Sequence, residues 1–316
     1  MTAHRYPTQE QVLDWMTSLS NWSRWGDDDQ RGCLNLITPA KRKQAASLVE
    51  LGETVSCSRP VTTDTAPDIR YQVQRFMVDS GEGRDTDPPE RKVSRRGAAE
   101  FIGMVFHGQS VTHIDAMSHY SWEGKMYNGV PASVVTSREG AQSHSIEAAS
   151  DGVVSRGILL DIPQVRGVEW LQPDAPVMPE DLDAAEELHG VRVGEGDILL
   201  VRTGYYRRRL LEGALPGGEP TPACQAACAP WFKERGVAML GTDTSNDVRP
   251  SQYPDIGSPL HTLCLVTLGL WLIDNANLEQ LADACRRHNR YEFMLNLGPL
   301  VLRNVTGSPV NPIAIF

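Results

Sequence analysis

The chain has 316 residues, 41% hydrophobic and 22% charged, ordinary proportions for a globular protein of one large domain or two small ones. Its formal net charge of -10 argues against nucleic acid or an anionic membrane as the main partner and suits a small-molecule site that holds a cation. With no apolar leader and no run of about 18 apolar residues, the expectation is a cytoplasmic protein without a membrane span.

Residues 9–19 read as a short amphipathic helix, followed by the polar loop Trp25–Gly32. Thr38 ahead of Pro39 predicts an N-cap with proline at the first helical position, opening a helix that runs to Leu51. Thr54–Ser58 reads as a strand, and residues 79–99, rich in Gly, Asp, Pro and Arg, as a long polar loop. The second half predicts strands at 157–162, 196–204, 237–243, 271–273, 293–297 and 312–316. Helices are expected at 178–188, up to Arg235 with Gly236 as the stop, at 260–269 and at 277–285. The alternation predicts a mixed α/β fold. The six dispersed cysteines read as free thiols, and Cys224 and Cys228 as packing residues rather than half a metal site.

Chemistry concentrates in Gln109-Ser-Val-Thr-His-Ile-Asp-Ala-Met-Ser-His119, where His113, Asp115 and His119 fall within seven residues. If the chain stays extended after the apolar run Phe101–Phe106, side chains alternate, and His107, Gln109, His113 and Asp115 share one face. Imidazole, amide and carboxylate so arranged can hold a divalent cation; a hydrogen-bonded strand end is the plainer alternative. Asp161, Arg202, Thr203 and Asp243 also end apolar strands, where a structural cap or ion pair competes with a catalytic role. His261 opens one apolar segment and Asp274 closes another, positions from which both could complete a metal shell. Trp22, Trp25, Phe106, Tyr120 and Trp122 are candidates for an aromatic wall around a planar substrate, with core packing as the alternative.

This pattern resembles the cyclase family of metal-dependent hydrolases, which includes bacterial kynurenine formamidases and isatin hydrolases. Its signature is His-x-Gly-Thr-His-x-Asp-x-Pro-x-His. Thr112, His113, Asp115 and His119 match, whereas Gln109, Val111 and Met117 stand where His, Gly and Pro are expected. His261 and Asp274 look like a second family element, a His followed about a dozen residues later by an acid or amide. Gly196–Gly204 and the Trp25-Gly-x-Asp-Asp stretch are similar to a longer branch of the family.

The resemblance implies a swivelling β/β/α cyclase-like domain over residues 53–316, preceded by an N-terminal helical extension over 1–52, and assembly as a homodimer or homotetramer. It implies metal-activated water cleaving an amide, imide or lactone bond of a small, cyclic or aromatic substrate. His113, Asp115, His261 and Asp274 would be ligands, with Gln109 in the place of the first His, and His119 the acid/base. Asp115 could bridge two ions in a binuclear site. Gln109 would bind through oxygen, which shifts preference from zinc toward manganese or magnesium, with manganese preferred over zinc; His107 is the alternative donor. A catalytically silent metal- or ligand-binding relative, and a cyclase that closes the ring instead, are the competing readings. The chain is longer than kynurenine formamidases generally are, which argues for a different substrate.

Overall fold

The computed structural model describes residues 6–83, 85 and 97–316. Its strands are β1 (Thr54–Ser56), β2 (Gln74–Asp79), β3 (Ala99–Gly103), β4 (His113–Asp115), β5 (Val135–Thr136), β6 (Gly140–Ala141), β7 (Val153–Asp161), β8 (Ile198–Arg202), β9 (Met239–Thr242), β10 (Trp271–Asp274), β11 (Glu292–Leu297), β12 (Gly307–Pro309) and β13 (Ile313–Ile315). Its helices are α1 (Gln9–Ser18), α2 (Pro39–Ala46), α3 (Ile162–Arg166), α4 (Pro179–His189), α5 (Tyr205–Glu212), α6 (Cys228–Arg235), α7 (Pro259–His261) and α8 (Glu279–His288). The expected loop over 79–99 lies in part, at 84 and 86–96, outside the described residues.

Nine strands form one curled sheet in the order β1-β13-β11-β7-β8-β9-β10-β4-β12. Strands β7, β8, β9 and β10 run parallel; the rest of the sheet pairs antiparallel. Parallel strands covered on both faces need continuous apolar runs, and Ile198-Leu-Leu-Val is buried throughout. Alternation then sorts the side chains between two cores. Leu159, Leu200 and Ile273 pack on one face with α8, through Leu281, Ala282 and Cys285. Ile158, Leu160, Leu199, Val201 and Leu272 pack on the other with α4, α6 and the segment after α7.

The start signals hold. The Thr38 hydroxyl accepts the Lys41 N–H at 3.1 Å, capping α2, and Gly236 in the left-handed region ends α6. Helix α2 stops at Ala46, short of Leu51. The apolar segment 260–269 departs most from expectation. After α7 it continues as a π-helix over Thr262–Leu268 and closes at Gly269. Cross-connections tie the first 52 residues to the sheet domain: Trp22 Nε1 donates to the Val266 carbonyl at 2.7 Å and Trp271 Nε1 to that of Arg31 at 2.9 Å. All six cysteines are free and buried, and no helix of the described residues is long and apolar enough to cross a membrane.

Candidate metal centre

The centre is built where β4 meets β10. Their register places Ile114 opposite Ile273, and both belong to one core. The neighbours in sequence therefore point to the opposite face: His113, Asp115 and, paired across from His113, Asp274.

The expectation of one extended run from Phe101 to Asp115 fails. Strand β3 pairs with β2 in a separate, exposed two-stranded ribbon, and residues 107–111 form bends. The shared face of His107 and Asp115 arises instead from a pinned loop. Asn275 Nδ2 donates to the carbonyls of Gly108 at 2.7 Å and Val111 at 3.2 Å, and Thr112 Oγ1 donates to the Asn275 carbonyl at 2.7 Å. The buried Arg59 holds the Gln109 carbonyl at 2.8 Å. This fold of the loop brings His107 Nδ1 to 2.9 Å from Asp115 Oδ1, with its Nε2 at 2.9 Å from Thr306 Oγ1. Gly307 makes room for it, since a Cβ there would stand 2.9 Å from the His107 ring.

His113 Nδ1 hydrogen-bonds the Val111 carbonyl at 2.8 Å. That partner keeps the proton on Nδ1 and leaves the Nε2 lone pair facing Asp115 Oδ1 at 3.4 Å and Asp274 Oδ2 at 4.0 Å. His261 enters from α7, its Nε2 3.5 Å from Asp115 Oδ2 and 3.7 Å from Asp274 Oδ2. Its Nδ1 is 2.5 Å from Asp247 Oδ2. Asn246 Nδ2 holds the other Asp274 oxygen at 2.5 Å. His119, at the end of a short 3-10 turn, stacks flat on His107 with ring centroids 3.7 Å apart, its Nε2 3.9 Å from Asp115 Oδ1.

Asp115 is fully buried, yet neither carboxylate oxygen has a hydrogen-bond partner. A buried carboxylate without donors is costly unless a cation satisfies it. Two overlapping donor groups meet there, His107–Asp115–His119 and His113–Asp115–Asp274. The surroundings polarise these groups strongly. Burial works to raise the Asp115 carboxyl, but the imidazoles of His119, His113, His107 and His261 around it hold it well below the usual range. Burial pulls His119 down to about 4, against the attraction of Asp115, so it is neutral at neutral pH. Burial also opposes protonation of His261, but Asp247 and the Asp115 and Asp274 carboxylates outweigh it and raise its pKa well above the ordinary value.

These side chains, without Asp115, line one wall of a cavity of about 560 Å³ whose other walls include Gln109, Tyr71, Tyr120, Ser245 and Arg249. Gln109 thus borders the cavity, while the group beside Asp115 is His107. Of the five aromatics expected around a substrate, Tyr120 lines the cavity and Phe106 packs on the His107 ring at 4.5 Å. Trp22 and Trp122 line a separate groove against α1, and Trp25 packs on the core. Sequence reasoning missed Tyr71, Asn246 and Asp247; the polar run 242–247 after β9 is the signal that could have marked the last two. The other strand-end groups are structural. Asp161 pairs with Arg202 at 2.7 Å, and Asp243 accepts the N–H groups of Thr203 and Gly204, both at 2.8 Å.

Fold and site together define an α/β protein with a buried histidine–carboxylate centre. The Cyclase family model matches residues 49–246, and the chain belongs to that family. It is similar, at 30% identity and a TM-score of 0.85 over 95% of this chain and 99% of the other, to a crystal structure described as a novel cyclase. It shares its fold with isatin hydrolase A from Labrenzia aggregata, solved with benzyl benzoate (18% identity, TM-score 0.58, 86% and 96% covered). The same holds for isatin hydrolase A from Ralstonia solanacearum (20% identity, TM-score 0.55, 83% and 91% covered). No curated protein matches the chain.

Proposed function

We propose that the protein is a metal-dependent hydrolase that opens an amide, imide or lactone bond of a small substrate. The observation that carries this reading is the fully buried Asp115 carboxylate, without a hydrogen-bond donor and ringed by four imidazoles and Asp274. His113, Asp115, His261 and Asp274 would hold a divalent cation, with His107 in the place that the family signature gives to a histidine and this chain gives to Gln109. A bound cation supplies polarisation of the substrate carbonyl and acidification of water.

The chain's own residues do the rest. His113 and His261 are fixed by second hydrogen bonds to Val111 and Asp247, so each presents a defined nitrogen. His119, neutral and at the cavity wall, has a free ring lone pair. Its Nε2 takes a proton from the attacking water and returns it to the leaving nitrogen or oxygen. Tyr120 and Tyr71 offer apolar ring surface to a planar group. The fold shared with two isatin hydrolases supports a cyclic or aromatic amide as the first class to test.

The sequence argument for manganese rests on an oxygen from Gln109. With His107 beside Asp115, the donor set gains a nitrogen, which favours zinc, while Asp115 and Asp274 keep manganese in play. Zinc is therefore the metal to try first, with manganese as the comparison. A homodimer or homotetramer remains part of the proposal, as does residence in the cytoplasm.

The test is turnover of isatins, N-formyl anilines, cyclic imides and lactones by metal-loaded protein, with and without a chelator. Chelator-sensitive hydrolysis supports the proposal. Bound metal without turnover of any of them points to a silent relative.

A further inference from the structure

The cavity carries a charge pattern that the metal centre does not use. Arg249 and Arg70 both line it, and among the described residues neither forms an ion pair with a carboxylate. Asp68, the lining carboxylate outside the centre, is committed to Arg209 at 2.5 Å. Asp115 and Asp274 would balance the two charges of a divalent cation. The loaded cavity is then left with two unpaired guanidiniums, in a protein whose net charge is -10.

The two arginines differ in how they are held. Arg70 is exposed and lies 5.1 Å over the ring of Tyr71. Arg249 is half-buried, and its backbone exchanges two hydrogen bonds with Thr221, at 3.0 and 3.3 Å. Its Nε donates to Ser245 Oγ at 3.2 Å. That bond orients the guanidinium and leaves the Nη1 and Nη2 donors without a protein partner among the described residues. A planar fork so fixed matches a carboxylate with two parallel hydrogen bonds.

We propose that Arg249 is the specificity residue of this cavity and that the substrate carries a carboxylate, distinct from the scissile group, which Arg249 binds while the reacting carbonyl sits at the metal centre. This rests on the hydrolase reading above and narrows it to anionic amides, imides or lactones.

The test uses metal-loaded full-length protein and a matched pair, N-formylanthranilate and its methyl ester, which present the same formanilide and differ by one charge. Wild-type protein should favour the acid in kcat/KM. Arg249→Gln should lower the acid-to-ester ratio by about tenfold to a hundredfold, mainly through KM for the acid, and Arg249→Lys should recover part of it. The ratio is read within each variant, so partial loss of folded protein cancels. No preference in the wild type, an unchanged ratio in Arg249→Gln, or a larger fall in Arg70→Gln overturns the assignment. If neither compound is hydrolysed, the hydrolase reading is at fault, and the anion site is read by calorimetric binding of the same two compounds. Weaker binding of the acid to Arg249→Gln, with the acid-to-ester difference lost, supports the site; equal binding to wild type and variant overturns it.

Discussion

Asp247 Oδ2 stands 2.5 Å from His261 Nδ1, and the same carboxylate accepts the backbone N–H groups of Leu260 at 2.7 Å and His261 at 3.3 Å. One buried acid therefore fixes both the entry of α7 and the imidazole it carries. Carboxylates behind metal-binding histidines set ring orientation and basicity. Asp247→Asn should weaken metal binding by about tenfold to a hundredfold, measured by competition with a chromogenic chelator. Unaltered affinity in folded Asp247→Asn protein would detach Asp247 from the centre.

His107 and Gln109 make opposite predictions for the departure from the family signature. His107 Nδ1 lies 2.9 Å from Asp115, whereas Gln109 borders the cavity. His107→Ala should lower metal affinity by about tenfold or more, and Gln109→Ala should change it little. The reverse order would restore Gln109 as the ligand and, with it, the argument for manganese.

His119 is proposed to move protons rather than to hold the cation. His119→Asn should therefore retain metal while kcat falls by about a hundredfold or more. Loss of metal in this variant, by elemental analysis, would instead make His119 a ligand beside His107 and Asp115, which are close enough to form such a group.

Acid should weaken the fold through two histidines away from the centre. Burial pulls His144 and His189 from the usual 6.5 to about 4. The unfolded chain binds these protons as pH falls below 6.5, but the folded chain does not until about 4, so stability is full above 6.5 and is lost between those values. Acidification from neutral pH to about pH 4 should therefore cost on the order of 3 kcal/mol of stability at each of these sites. Urea unfolding of wild type and His189→Gln from pH 7 to pH 4 checks this, because the difference between them should shrink as pH falls. A pH-independent difference would contradict it.

Much of this was legible in the sequence because it depends on local rules. Thr38-Pro39 and Gly236 mark helix ends through capping and backbone conformation, and Ile198–Val201 reads as a strand because both faces are covered. His113, Asp115, His119, His261 and Asp274 were each visible, and they do converge. What escaped depends on long-range contacts. The loop that presents His107 is shaped by Asn275 and Arg59, distant in sequence. Asp247 acquires its role from an α7 that begins 12 residues later. The run Phe101–Phe106 read as a continuation toward the site, since an exposed ribbon strand such as β3 and a buried strand show the same apolar run. The π-helical turn after His261 has the composition of an ordinary buried helix.

The central claim is that Asp115 is satisfied by a cation shared with His113. Elemental analysis of wild-type and His113→Ala protein, both purified without added metal and both shown to be folded, tests it most directly. Close to stoichiometric or higher transition metal in the wild type and a several-fold loss in His113→Ala is the expected result. Equal metal content in the two proteins would contradict it.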